Sequence, residues 1–431
     1  MARSAISPFP AIAIDAGLPW DLPVDDPVAA IAAVRADLGD TFVIDSGPDR
    51  YLFTFSPVGV ASFYALPEDL ASKGLADWRM LRRKVPDDVF ADRRTLPHQL
   101  FGRDDVAGYL TNVERALDAT VAELGDAGQA DVFALTRRLG HRLGLASWGG
   151  PGAADGARFD RMATALDALD GAEAFVHPDA MAAVAASDQA TERAALAVLV
   201  EEVTAILADL PGAEADHPLF ARVADAWADE SPDARRQGVA YDVALVHIAS
   251  MSNLFAALGW MLIDLVDHPD EAARVAAGDR VRTEQVALES TRLAQRSIMA
   301  RYVVAPVSLD VGGTVHQVEP RVTIATLLPL TNSTAAPGLD GWRPDRWNRR
   351  RLGDTPGLAA PELVTVFGHG HHTCPAQPFS LAVMTAAAAR LFATFDLEPG
   401  WTARPGPVKA QIGGVARAAE PCPVSYRRRR G

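Results

Sequence analysis

The residue types with the most chemical potential crowd into one short stretch, Phe367–Ala376, which reads FGHGHHTCPA. His369, His371 and His372 lead to Cys374, and an apolar run of helical character starts at Gln377. A cysteine at the start of a helix faces free N–H groups and the positive end of the helix dipole, which favour thiolate over thiol. Such a sulfur can bind a metal from one side. Gly368 and Gly370 allow a tight, irregular backbone beside something large and flat. The additional cysteines of a tetrahedral zinc site are missing, so His369 and His371 read as solvated or loop-packing side chains. Taken alone, Cys374 also fits a small buried hydrophobe. Cys422, the other cysteine, lies between prolines and reads as structural.

A second polar cluster interrupts the most apolar segment of the chain. Tyr241–Asp267 has the period of a helix and is apolar nearly all round, which places it in the middle of a large protein. Ser250, Ser252 and Asn253 break it near the centre. Either they bond to the backbone or they face a cavity or ligand: hydroxyls bonding back to carbonyls one turn earlier account for the serines, and less well for Asn253, because an amide has more groups to satisfy. His247, one turn before Ser250, reads as a satisfied helix histidine, with a proton source as the alternative.

The elements that must hold these groups follow from the pattern. Pro27–Asp37 is helical, and Thr41–Ser46 and Tyr51–Phe55 form a hairpin about Gly47–Asp49. From Ser56 to about Asp279 apolar residues recur at spacings of three and four, broken by loops at 147–156 and 210–218. Glu289–Met299 continues as helix. Val303–Val311 and Val318–Leu328, rich in Val, Ile and Thr, form a small sheet with a turn at Gly312–Gly313. Turn-rich, basic chain occupies Gly338–Pro361, and a last helix runs from Gln377 to about Phe395. The expected class is mainly α with a minor β part (α+β). The final RRRR, Arg427–Arg430, reads as a solvated, frayed end.

Composition narrows the function classes. The 431 residues carry a net charge of −14, which disfavours nucleic acid as a partner. Two cysteines exclude a disulfide scaffold and a multi-cysteine cluster, and point to a reducing, cytoplasmic setting. The opening residues fail as a secretory signal, and no uninterrupted run of about 20 apolar residues marks a membrane anchor.

Phe367–Cys374 resembles the haem-binding loop of the cytochrome P450 family, Phe-x-x-Gly-x-(Arg/His)-x-Cys. Three further segments match in order: Glu289–Arg292 resembles the Glu-x-x-Arg pair, Trp342–Trp347 (WRPDRW) the Pro-x-Arg segment, and Arg301 a propionate-binding arginine. The resemblance covers essentially the whole chain and implies one P450-type domain over 1–431, a helix-rich prism with a small β-rich subdomain around haem b. It implies Cys374 as axial iron ligand, His372 and Arg301 on the propionates, and Phe367 and Gly368 in the loop. Glu289, Arg292 and Arg346 are expected as a buried positioning triad. Trp78 and Arg82, or Arg83, are candidates for a second propionate contact, with an amphipathic surface helix as the alternative. Ser250, Ser297, Ile298 and Met299 are expected at the substrate pocket.

The chain departs from the family where protons are relayed. The usual (Ala/Gly)-Gly-x-(Asp/Glu)-Thr stretch matches Ala249-Ser250-Met251-Ser252-Asn253, so Ser252 replaces the acid and Asn253 the threonine. Ala249 and Asn253, four apart, share the face expected over iron. Two mechanisms follow. In the favoured one, a small apolar substrate of specialised metabolism brings an O–O or N–O bond of its own, oriented by Asn253. In the other, a conventional monooxygenase takes electrons from a ferredoxin or flavodoxin docked near Arg349, Arg350 and Arg351. A non-catalytic haem sensor is the reading from a different class. A monomer without a membrane anchor is expected throughout.

Overall fold

The computed structural model describes residues 5–7, 10–13, 17–91, 93–95, 102–171, 177–348, 350–353 and 355–430; Arg349 lies outside them. Helix accounts for 53% of the described residues, which contain 14 helices, so the mainly α class holds. The organising element is Pro232–Asp267, 36 residues long, which begins nine residues earlier than its apolar stretch suggests. Ser231 caps it by accepting the Ala234 N–H, with Pro232 in the first turn. By length and composition it is the one described helix that could cross a bilayer, and 72% of its most apolar window is buried inside the protein.

Around this helix pack Val132–Trp148, Ala190–Asp209, Arg280–Ala294 and Gln377–Thr394. Two glycines set the closest approach. A Cβ on Gly140 would lie 3.0 Å from Phe255, and one on Gly144 2.8 Å from the His247 ring, so Val132–Trp148 can press against the long helix only because both are bare. Asp131 caps that partner helix through the Ala134 N–H.

The β part forms beside the bundle. A six-stranded sheet runs in the order 12–13, 41–46, 49–54, 322–327, 298–303 and 71–72. The expected hairpin is its 41–46/49–54 pair. Three expectations need correction. The helix through Glu289 ends at Ala294, and Ile298–Val303 is a strand opposite Val322–Leu327, because its Tyr, Val and Ile residues fit a pleated, half-buried surface better than another helical turn. The segment from Ser56 to Asp279, expected as nearly all helix, gives strands at Ala71–Ser72 and Ala127–Asp131. The C-terminal arginines are not frayed: Pro423–Arg428 pairs with Phe395–Pro399 and Ala127–Asp131, and Arg428 and Arg429 form ion pairs with Asp126 and Asp396.

Candidate functional site

The loop that carries Cys374 is built from its backbone outward. Gly368 sits at φ +81°, where a Cβ would come within 2.3 Å of the His372 carbonyl oxygen. That turn lets the Cys374 N–H donate to the Phe367 carbonyl (2.7 Å). The Gly368 N–H donates to Thr365 Oγ1 (2.7 Å), and the Asn332 amide brackets the Thr365 backbone at 2.9 and 2.8 Å. At the start of Gln377–Thr394 the N–H groups of Ala376 and Gln377 reach the sulfur. Burial raises the thiol above the ordinary cysteine range, outweighing the lowering by those N–H groups and Lys73. Without a metal the group is a thiol; metal coordination removes its proton.

Cys374 opens into a cavity of about 570 Å³, in the range that holds a cofactor or small ligand. On one wall lie Phe367, Gly368, His372 and Cys374; on the other lie Ala249, Ser250, Asn253, Leu254 and Ala257 of the long helix. Ser297 and Met299 close the side. Ile298, expected here, faces away into the core with Leu18, Phe42 and Phe53, because successive strand residues point to opposite sides of a sheet.

The cationic groups are arranged differently from the expectation. Arg301 does not line the cavity. It is buried on its strand, donating to the carbonyls of Ala71 (2.8 Å) and Phe63 (3.2 Å), and its Nη1 lies 2.7 Å from His372 Nε2. His372 does line the cavity, and burial together with the Arg301 charge pushes its imidazole below the usual range. It stays neutral and accepts from Arg301, so the arginine acts on the site through the histidine. Trp78 and Arg82 are absent from the wall: the Arg82 guanidinium stacks over the Trp78 ring at 4.4 Å and pairs with Asp87. Arg83 is taken up by Asp21 and Asp49. Lys73, which the sequence reading missed, reaches the cavity instead while paired to Asp77. The available signal was a lysine in the first turn of Lys73–Leu81, where it opposes the helix dipole.

On the long helix the polar residues separate by direction. Asn253 faces the cavity, and its Oδ1 accepts the Val415 N–H at 2.8 Å. Gly414, at φ +64°, makes room, since a Cβ there would meet that oxygen at 2.5 Å. Ser252, one position away and rotated by about 100°, turns from the cavity toward Arg417 (3.4 Å), which pairs with Asp170 at 3.0 Å. The replaced acid position therefore contributes nothing to the cavity.

Behind the loop, Glu289, Arg292 and Arg346 come together, all buried. Glu289 takes Arg292 at 2.7 and 2.9 Å, Arg346 at 2.9 Å, the Arg343 N–H at 2.8 Å and Trp347 Nε1 at 2.9 Å. Arg292 continues to the Leu339 carbonyl (2.6 Å) and Arg346 to those of Gly338 and Gly341 (2.9 Å each). The triad thus ties the 338–347 segment to Arg280–Ala294, and Asn332 passes that order to the cysteine loop. Of the loop histidines, His369 bonds the Val364 carbonyl and packs edge-on to Tyr64, while the exposed His371 borders the cavity. Cys422 is buried, its thiol directed to the Glu420 carbonyl.

No protein-family model and no curated protein sequence matches the chain. Among solved structures it is similar to the crystal structure of CYP175A1, a cytochrome P450, from Thermus thermophilus. The two superpose with a TM-score of 0.67 at 20% identity, over 94% of this chain and 95% of that one. The architecture is the cytochrome P450 fold. That fold implies haem, and the residues present fit it: a cysteine with two N–H donors at its sulfur on one wall, small Ala249 and Ala257 opposite, and Lys73 and His372 as cation and donor partners for carboxylates.

Proposed function

We propose that this protein is a haem-thiolate enzyme of the P450 type that acts on a small, largely apolar substrate by opening an O–O or N–O bond the substrate already contains. The observation that carries the proposal is the Cys374 sulfur, which receives two backbone N–H groups and shares its cavity with Asn253. Haem, when bound, supplies the redox centre, and thiolate ligation favours O–O cleavage. The remaining work falls to side chains. Leu254, Ala257, Leu328 and Val366 give an apolar lining that excludes water. Asn253 Oδ1 is occupied by Val415, which leaves the Nδ2 hydrogens as donors toward the cavity. A donor that holds no labile proton of its own suits a heteroatom lone pair on the substrate, and suits poorly the repeated protonation that oxygen activation needs. Ser252, engaged by Arg417, supplies no acid.

Two measurements test this reading. A reduced, carbon monoxide-bound Soret band at the thiolate position is expected in the wild type and lost in Cys374→Ala; its absence from the wild type sinks the haem-thiolate assignment. Anaerobic conversion of cumene hydroperoxide or phenylacetaldoxime without reductant is the expected activity. Turnover that strictly requires NAD(P)H, a ferredoxin and oxygen overturns the mechanism and makes the protein a monooxygenase.

A further inference from the structure

The side wall of the cavity carries a hydroxyl whose hydrogen-bonding role is fixed by its neighbours. Ser297 lines the cavity and is half-buried. Its Oγ lies 2.8 Å from Gln295 Oε1 and 3.2 Å from the Gly414 carbonyl oxygen. The Gln295 amide, also on this wall, is oriented from behind, because its Nε2 donates to the Val366 carbonyl at 2.9 Å, where an amide oxygen would meet another oxygen. Oε1 is therefore the atom turned to Ser297, and both oxygens beside the hydroxyl can only accept. The Ser297 hydrogen is committed to them, and its lone pairs are left for the cavity. Thr291 also borders the cavity and gives its hydrogen to the Ala287 carbonyl at 2.7 Å, but at 3% exposure its oxygen is covered. The described lining contains no Asp or Glu, so the acceptor that Ser297 offers is an uncharged one.

Asn253 supplies the opposite role at the same end of the cavity. Its Oδ1 accepts the Val415 N–H, while Ser297 donates to the Gly414 carbonyl, and these two backbone atoms belong to one peptide group. That planar unit is held in place by its neighbours. The Arg296 N–H donates to the Gly414 carbonyl at 2.9 Å and the Ala416 N–H to the Ala294 carbonyl at 2.8 Å, with Gln295 and Val415 opposed in an antiparallel bridge. One rigid peptide thus sets Asn253 as a donor through Nδ2 and Ser297 as an acceptor through Oγ. A dialkyl peroxide or an O-substituted oxime brings lone pairs alone and leaves the Ser297 oxygen unpaired beside an apolar lining. A hydroperoxide, an oxime or an N-hydroxy compound brings a lone pair and a hydrogen on adjoining atoms.

We propose that Ser297 is a specificity residue that accepts a hydrogen bond from the substrate, so that the bond to be opened ends in a free hydroxyl: O–OH or N–OH, not O–OR or N–OR. This rests on the haem-thiolate reading and deepens it by naming the substrate class. The substrate heteroatom gives its lone pair to Asn253 Nδ2, and the hydroxyl hydrogen goes to Ser297 Oγ. A site built to bond a substrate hydroxyl rejects the analogue that lacks it, because the partner in the wall is then left unpaired. An ammonium group is poorly served, since no carboxylate of the lining meets it.

The test is calorimetric titration of the haem-loaded protein with 2-phenylethanol and with its methyl ether, neither of which has an O–O or N–O bond to open. In Ser297→Ala the affinity for the alcohol should fall about tenfold and that for the ether should stay, as expected for one neutral hydrogen bond. Comparing the loss between the two ligands removes differences of size and hydrophobicity. Ser297→Thr, which keeps the hydroxyl, should retain the difference. Ser297→Cys, of similar volume but a weak acceptor, serves with the same expectation where the alanine variant does not fold. Unchanged alcohol affinity, or an equal loss for alcohol and ether, in a variant that keeps the thiolate-type carbon monoxide band overturns the proposal alone. A wild type without that band refutes the haem-thiolate reading and the proposal with it. In turnover, kcat/KM for phenylacetaldoxime should exceed that for its O-methyl ether, and the excess should vanish in Ser297→Ala. An O-methyl ether converted by the wild type as well as the oxime overturns the proposal.

Discussion

Replacing Glu289 by glutamine removes one charge and almost no volume, and its cost can be read from the contacts. The carboxylate receives five N–H groups: two from Arg292, one from the Arg346 side chain, the Arg343 backbone N–H and Trp347 Nε1. A glutamine can turn its oxygen to the position that takes three of them, Arg292 Nη2, Arg346 Nε and Arg343 N. Its NH₂ then faces Arg292 Nε and Trp347 Nε1, donor against donor, and two buried guanidiniums lose their counter-charge. Breaking a buried pair by removing one partner costs about 3–5 kcal/mol, a large share of the roughly 5–15 kcal/mol that holds a protein folded. Unfolding entropy of about 2.1 cal/mol/K per residue gives roughly 0.9 kcal/mol per degree for a chain of this length. The expected drop in melting temperature is therefore about 3–6 °C, measured by far-ultraviolet circular dichroism. Because the triad orders the 338–347 segment and, through Asn332, the cysteine loop, the variant should also lose thiolate-type carbon monoxide absorbance in proportion to its haem content. A variant that melts within 1 °C of wild type and keeps that band would refute the positioning role of Glu289.

Gly414→Ala places a Cβ where Asn253 Oδ1 sits and strains φ +64°; a loss of about 1–3 kcal/mol is expected from the left-handed backbone and the broken Asn253–Val415 bond, and Asn253→Ala should remove most of the additional penalty in a double-mutant cycle. In the haem-free protein the Cys374 thiol, raised by burial, should react with iodoacetamide more slowly than a free cysteine at pH 7.5 and accelerate as pH rises; an equal rate contradicts the burial argument. Glu123 is held down to about 2, first by its hydrogen bond to Arg142 and further by Arg138. A depressed carboxylate stabilises above its unfolded pKa and loses that contribution as pH falls through its folded one. Glu123→Gln should thus melt lower than wild type at pH 7, with the gap narrowing between pH 4 and 3. Because the side chain is half-exposed, the gap should also shrink in 1 M salt.

Local pattern was enough to reveal the long apolar helix, the first hairpin, the Gly312–Gly313 turn and the final helix, because each is set by periodicity or by turn residues within its own segment. The spacing around Cys374, Glu289 and Arg346 likewise marked groups that the fold draws together. What the chain order does not contain is direction. Ser252 and Asn253 are neighbours, and only the packing of the helix decides that Asn253 looks into the cavity and Ser252 at Arg417. Ser297 and Ile298 part in the same way, once their segment becomes a strand. Long-range pairing was equally hidden. Arg301 reaches the site only through His372, 71 residues on, and the terminal arginines find their sheet across nearly 300 residues. His247 shows the limit most clearly: its sequence neighbours make it an ordinary core histidine, and only the approach of Val132–Trp148, permitted by Gly140 and Gly144, places His141 and Asp167 behind it. Composition and period are local properties of a chain; which polar atoms meet in the interior is fixed by how whole elements pack.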